Sequence, residues 1–224
     1  DAFGNPTQIN GSDGSIDLTN TGNKISGEAL AEDPHLSSWT ALTIAEADFT
    51  MLPEVLKGQL VVVGYDETGA PIQTSKVQPP RVIDDLYAYD GDLGLVFNGS
   101  GIDFKLWAPT AQDIKLHVFN AAKEEVAVVD MNEGDSGVWM YSTDNMDWNR
   151  NFYKYEITVY HPSTGKVVTT MVTDPYSTSL STNSLYSQIV NLQDADLKPA
   201  GWDALAKADY GTPEDIRVYE VHVR

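Results

Sequence analysis

The alternation of apolar and polar positions along the chain is that of short strands. Ile102, Phe104 and Leu106 alternate with Asp103 and Lys105, and Ile114, Leu116 and Val118 alternate with Lys115 and His117. Between the two runs lies Pro109-Thr110-Ala111-Gln112-Asp113, a turn cluster. A period of two on both sides of a turn predicts half-buried antiparallel strands. Further strands are expected over residues 126–130, 138–142, 152–160, 166–172 and 186–192, with His161-Pro162-Ser163-Thr164-Gly165 turning the chain between two of them. About seven short strands with regular turn signals predict a β-sandwich of about 100 residues.

Ahead of this region, residues 59–65 and 70–78 flank Asp66-Glu67-Thr68-Gly69. They predict a hairpin with a glycine-containing loop. Leu60-Val61-Val62-Val63 is apolar without a break, which predicts cover on both faces of that strand. Trp39, Leu42 and Ile44 are expected to supply core from another strand, and Asn10-Gly11-Ser12-Asp13-Gly14-Ser15 is turn-rich. Helical periodicity is confined to two short stretches, 48–57 and 200–208. Gln78-Pro79-Pro80-Arg81 predicts an extended linker, because each proline fixes its own φ and restrains its predecessor. A helical turn with acids near its start is expected over 84–89.

At the far end, residues 216–223 form a strand-like apolar run that stops at Arg224. A strand with no turn or partner after it reads as the edge of something larger, and Asp1 is not an initiator methionine. The expected fold is all-β. Residues 1–84 form one immunoglobulin-like β-sandwich and residues 85–200 a second, and 201–224 are a linker and one strand of a further domain.

Composition narrows the function classes. The chain has 224 residues, with 14 Lys+Arg against 33 Asp+Glu, a formal net charge of −19, and no Cys. Thiolate metal sites and disulfides are excluded. The acidic balance argues against nucleic acid and against anionic lipid surfaces. The apolar runs are far shorter than the ~20 residues that span a bilayer. The acidity suits an uncharged substrate or simple solubility.

Three stretches carry a specific resemblance. Phe104-Lys105-Leu106-Trp107-Ala108-Pro109-Thr110-Ala111 resembles the Trp-Ala-Pro-x-Ala motif of the early β-sandwich of starch-debranching enzymes. Tyr153-Lys154-Tyr155-Glu156-Ile157 and Val172-Thr173-Asp174-Pro175-Tyr176-Ser177 resemble the Tyr-x-Tyr strand and Asp-Pro-Tyr turn of the same module. Asp215-Ile216-Arg217-Val218-Tyr219-Glu220-Val221-His222-Val223-Arg224 is similar to the first barrel strand of their catalytic domain. Leu180-Ser181-Thr182-Asn183-Ser184, Tyr186-Ser187-Gln188-Ile189-Val190-Asn191-Leu192 and Leu56-Lys57-Gly58-Gln59-Leu60 are similar to the bacterial pullulanases in particular.

The resemblance implies a family 48 carbohydrate-binding module over 85–200, an accessory domain before it, and the first strand of a truncated (β/α)₈ barrel after it. It implies a non-catalytic region of an enzyme that cleaves α-1,6 links in pullulan, glycogen or amylopectin by a retaining, two-carboxylate mechanism. The family's Asp-x-x-x-Asn-His, Gly-x-Arg-x-Asp and Asn-His-Asp motifs are absent from this sequence, so no catalytic residue is assigned. The implied partners are α-glucan and, within the same molecule, the catalytic domain. Asp174, Pro175, Tyr176, Tyr186, Tyr219 and His222 are the expected contacts to that domain. No cofactor is expected in this chain, although the whole enzyme could hold Ca²⁺. The implied location is secreted, periplasmic or cell-surface.

Few constellations remain for chemistry. The acid pairs Asp84/Asp85, Asp90/Asp92, Glu124/Glu125 and Asp144/Asp147 read as solvated surface. Asn132-Glu133-Gly134-Asp135 and Asp144-Asn145-Met146-Asp147 offer oxygen ligands, but neither has the twelve-residue Ca²⁺ loop with its terminal Glu. Aromatic faces suit the apolar face of a pyranose, and Trp139, Trp148 and Tyr160 are the candidate platforms. The alternative for Trp107 and Trp139 is sandwich core. Starch-binding members of the module carry a Trp in the loop after the strand equivalent to 115–120, where this chain has Asn120-Ala121-Ala122-Lys123-Glu124. Two other readings stay open: an autonomous starch- or glycogen-binding module, and a structural adhesion-type tandem sandwich.

Overall fold

A computed structural model describes residues 12–207, 209 and 211–221. Residues up to Ile189 form one compact unit and residues from Val190 a second.

The first segment is built of two ribbons. Strand β1 (Leu18–Lys24) pairs antiparallel with β2 (Thr40–Ile44). The chain between them carries the short helix α1 (Glu28–Glu32). A 3₁₀ turn over Glu46–Met51 then leads into α2 (Leu52–Val55), where Pro53 sits in the first turn and its missing N–H disrupts no helical bond. The expected hairpin is β3 (Val61–Tyr65) with β4 (Pro71–Lys76). Its loop is closed by Asp66, whose carboxylate accepts from the Thr68 hydroxyl at 2.7 Å, the Thr68 amide at 2.8 Å and the Ala70 amide at 2.9 Å.

The two ribbons are separate two-stranded sheets rather than the facing sheets of a closed sandwich. A two-stranded ribbon cannot cover its own apolar face. Trp39, Leu42, Tyr65 and Ile72 are accordingly exposed, and so is Val61, which the apolar run placed under cover. Leu56 is the one buried residue between positions 12 and 84.

The linker is helical where the prolines suggested an extended chain. Helix α3 (Pro80–Leu86) starts on Pro80, whose fixed φ suits the first helical position.

The second segment is the sandwich. Strands β5 (Gly94–Phe97), β6 (Ile102–Trp107), β9 (Asn132–Glu133) and β10 (Val138–Thr143) form one sheet in the order β5-β6-β10-β9. Strands β7 (Ala111–Phe119), β8 (Glu125–Asp130), β11 (Phe152–His161) and β12 (Lys166–Val172) form the other in the order β12-β11-β7-β8, with β13 (Ser187–Gln188) also on β11. The strand expected over 186–192 shrinks to β13. The short strands β5 and β9 carry too little alternation to stand out in the sequence.

The core lies between the inner faces. Ile102, Phe104 and Leu106 meet Ile114, Leu116, Val118, Tyr153 and Tyr155, with Met131, Trp139, Trp148 and Ile189 in the same cluster. Register sets this face: Leu116 lies opposite Tyr155 and Val118 opposite Tyr153. Phe104 meets Tyr153 edge-on at 5.3 Å between centroids. The outer face of the same strands carries Lys115, His117 and Phe119 opposite Glu156, Lys154 and Phe152.

The first segment is tied to the sandwich through Lys57. Lys57 Nζ lies 2.6 Å from Glu133 Oε2, and Gln112 Nε2 donates to the Lys57 carbonyl at 3.0 Å. After α3, Tyr87 is buried and its carbonyl accepts from Trp107 Nε1 at 2.9 Å. Gly137 fits here because its φ is +66° and a Cβ would strike Pro109 and Tyr87.

The unit from Val190 holds 3₁₀ turns over Ala195–Leu197, Trp202–Ala204 and Pro213–Asp215. Residues 216–221 form no strand and pair with none among the described residues. A strand needs a neighbour for its backbone groups, so the apolar residues here stay uncovered, with Tyr219 84% exposed. His222 lies outside the described residues.

Candidate functional site

Two local arrangements stand out on the sandwich, and the first holds the second in place. The chain leaving β12 turns at Asp174, which is 3% exposed. Tyr153 donates to Asp174 Oδ2 at 2.6 Å, with the Tyr155 hydroxyl at 3.5 Å. The Tyr176 amide donates to Oδ1 at 2.8 Å, and the Asp174 amide donates to Ser187 Oγ at 2.9 Å. Burial pushes the Asp174 carboxyl above its usual range, against the pull of the Tyr153 hydroxyl and the Tyr176 amide. Burial and the neighbouring carboxylate push both phenols well above theirs. A carboxylate enclosed by donors in this way is a latch. It joins the Asp-Pro-Tyr turn to β11 and β13 and has no open face for a reacting group.

Beyond the latch, the chain makes a tight loop before β13. Leu180 bridges to Ser187, Ser181 N donates to the Tyr186 carbonyl at 2.9 Å, and Tyr186 N donates to Ser181 Oγ at 3.0 Å. Asn183 and Ser184 take left-handed φ of 56° and 53° inside it. Gln188 is held from two sides, by the Ser179 carbonyl at 2.8 Å and the Ser179 hydroxyl at 2.8 Å. Across from this loop, the turn after β7 is closed by Asn120. Its side chain donates to Glu124 Oε2 at 2.8 Å and accepts from Glu124 N at 3.0 Å, which leaves Lys123 at φ 68°.

The two loops and the start of β11 enclose an open groove of about 480 Å³. Phe152 and Tyr186 supply aromatic faces, Leu180 and Leu185 apolar walls, and Ser181, Thr182 and Gln188 polar groups. Tyr186 packs edge-on against Phe119 at 5.1 Å and Phe152 at 6.3 Å. The Lys123 ammonium lies over the Phe152 ring, and Lys154 Nζ is 4.8 Å from the Tyr186 centroid. Aromatic and aliphatic walls with a few fixed hydroxyl and amide groups suit a small polar ligand with an apolar face.

The expected platforms are placed elsewhere. Trp139 is 5% exposed and donates its indole N–H to the Ala108 carbonyl at 3.1 Å. Trp148 is 9% exposed, stacked on Tyr141 at 6.2 Å and edge-on to Phe104 at 6.2 Å. Both are core, because both project between the sheets, so neither offers a face to a sugar. Tyr160 is half-buried at the far end of β11, roughly 27 Å from Phe152 at about 3.4 Å per residue. Of the expected domain contacts, Asp174 is buried in the latch, Pro175 and Tyr176 are exposed, and Tyr186 lines the groove. Among the described residues, no three His, Asp or Glu gather at a metal-sized site, and no helix is long and apolar enough to cross a membrane.

Sequence reasoning missed Phe152, Lys123, Leu185 and Gln188. The available signal was the polar-side position of Phe119 and Phe152: both stand out of phase with the buried Val118 and Tyr153, which marks an aromatic pair on the outer face.

Residues 3–85 match the family described as pullulanase N2 domain, and residues 92–177 match carbohydrate-binding module 48, the isoamylase N-terminal domain. The chain is 36% identical over 221 residues to the chloroplastic pullulanase 1 of Arabidopsis thaliana, an alignment covering 96% of this chain. It is 37% identical over 211 residues to a pullulanase of Klebsiella pneumoniae, covering 89%. It spans 22% and 19% of the lengths of those two relatives. A crystal structure of the Klebsiella pneumoniae enzyme in complex with maltotriose superposes with a TM-score of 0.81 at 38% identity, over 87% of this chain and 21% of that one.

Proposed function

From the premise that its two domains belong to the N-terminal region of pullulanase-type enzymes, we propose that this chain is the non-catalytic part of an exported debranching enzyme and holds α-glucan in the groove beside β13. The observation that carries the reading is the groove itself. Two of its lining residues, Lys123 and Phe152, fall within the stretch that matches a carbohydrate-binding family, and the segment that follows that stretch brings Tyr186, Ser181, Thr182 and Gln188 against them. A pyranose ring would lay its apolar face on Tyr186 and give its hydroxyls to the polar groups.

The rest of the parent enzyme would supply both carboxylates of the hydrolysis. The exposed Tyr176 and the uncovered Val218, Tyr219 and Val221 are the surfaces we assign to contact with its catalytic domain. Lys57, Leu56 and Tyr87 would hold the first segment on the module, so that the pair acts as one brace.

The test is isothermal titration of the chain with maltotriose and with a branched maltooligosaccharide. Tryptophan emission is a poor reporter, since no tryptophan lines the groove. The wild type should bind at millimolar sugar or better, and Tyr186→Ala should abolish it. No heat from the wild type at millimolar sugar, or a Tyr186→Ala variant that binds as well, would overturn the reading. So would cleavage of pullulan by this chain alone, for its non-catalytic half.

A further inference from the structure

The groove has one property that a neutral sugar does not use. Two ammonium groups stand near its Tyr186 ring: that of Lys123, which lines the groove, lies over Phe152 and 5.6 Å from the Tyr186 centroid, and that of Lys154, beside the lining, is 4.8 Å from the same centroid. Among the described residues, neither is in an ion pair, whereas Lys57 is paired with Glu133, Lys115 with Asp130 and Lys198 with Asp203. Among the described residues, none of the carboxylates next to them in the chain and the sheet forms an ion pair with them. Glu124 accepts from Asn120 Nδ2, and Glu125 and Glu156 face His117 at 2.7 and 3.7 Å. In a chain of net charge −19, two ammoniums without an ion pair therefore flank one aromatic ring of a single groove.

Resting on the reading of this groove as an α-glucan site, we propose that its preferred ligand is an α-glucan carrying a phosphate monoester. The phosphate sits between the ammoniums of Lys123 and Lys154 while the sugar ring lies on Tyr186. A phosphate monoester carries close to two negative charges at neutral pH and accepts hydrogen bonds on three oxygens. Charge-assisted bonds of this kind are stronger than an ammonium resting on a ring at an exposed site. A neutral glucan that reaches the face of Phe152 displaces the Lys123 ammonium and offers it only uncharged hydroxyl oxygens. A phosphorylated glucan gives the displaced ammonium a partner and uncovers the ring. Burial already holds the Lys123 ammonium below its usual pKa, a tendency that a seated anion would reverse.

The experiment is titration of the intact chain with a maltooligosaccharide and with the same oligosaccharide bearing one phosphate monoester, at low and high salt. The phosphorylated ligand should bind about 10-fold more tightly at low salt, the gain from two exposed charge pairs. The preference should shrink at high salt, where such pairs are screened. The double variant Lys123→Gln, Lys154→Gln should bind the two ligands alike. Equal affinity of the wild type for both would overturn this inference and leave the α-glucan reading standing. Failure of both to bind would sink the two together. Full competition by inorganic phosphate at matching concentration would show an anion site without sugar recognition, and would also overturn it.

Discussion

Tyr153→Phe removes one hydroxyl from inside the module and leaves the ring in place. That hydroxyl donates to Asp174 Oδ2 at 2.6 Å, and the Tyr155 hydroxyl, at 3.5 Å, is at the limit of hydrogen-bond range. A hydrogen bond to a charged acceptor contributes about 1.5–3 kcal/mol, so the variant should lose about 2 kcal/mol at neutral pH. With an m-value of about 2 kcal/mol/M, the urea midpoint falls by about 1 M. Trp148 reports the transition, because it sits in the same core cluster as Tyr153.

The pH dependence gives the sharper check. Burial raises the Asp174 carboxyl in the folded chain above the ordinary value of an aspartate. A carboxyl raised on folding binds more protons folded than unfolded. Its stabilising share is therefore complete below the unfolded value and is lost as pH rises through the folded one. The Tyr153 hydroxyl bond lowers that folded value, so removing it lifts the folded value further. The variant suffers most where Asp174 is ionised, and its gap to the wild type narrows as the pH falls into the ordinary carboxylate range. A midpoint that moves by less than about 0.3 M at neutral pH would refute the latch. So would a gap that widens in acid.

The remaining predictions concern packing. Trp148→Ala should cost about 3–5 kcal/mol by urea denaturation, since it empties a site between the sheets. Trp202→Ala, at a position 58% exposed, should stay within about 0.5 kcal/mol in the same assay. Gly137→Ala should cost about 2–4 kcal/mol, through its positive φ and the contact of the new methyl with Pro109 and Tyr87. Thermal denaturation of that variant should also show the first segment becoming sensitive to protease at a lower temperature.

The strands of the sandwich were legible because one face of each is buried. Ile102, Phe104 and Leu106 alternate in sequence because they alternate in space, and a one-residue slip of β6 would expose all three. The same rule fails in the first segment. Trp39, Leu42 and Ile44 look like core by pattern, yet they lie at or just before a strand of a two-stranded ribbon, and Trp39 and Leu42 stay exposed. The pattern states that a face seeks cover, and it does not state whether the cover is in the same chain. The proline-rich linker misled for a different reason. Proline restrains the residue before it, but at the first turn of a helix that restraint acts on a residue outside the helix, and Pro80 starts α3 rather than preventing it.

The groove was the least legible feature, and its composition explains why. Lys123 comes from a turn, Phe152 from the first position of β11, and Leu180, Tyr186 and Gln188 from a loop and a two-residue strand. No window of sequence contains more than part of it. Tryptophan also drew attention to the wrong places. Of the aromatic types, tryptophan has the largest face for stacking, but it also has the most apolar surface to bury, and in a sandwich this small the interior claims it first. Trp139 and Trp148 went to the core, which left phenylalanine and tyrosine on the outer face as the rings available to a ligand. The loop where the resemblance places the tryptophan of starch-binding modules, residues 120–124, holds no aromatic here, and its Lys123 ammonium lies across one of those rings. On the reading proposed above, that ammonium lets the groove select by charge as well as by shape, and the ratio of affinities for phosphorylated and neutral glucan is the quantity that measures it.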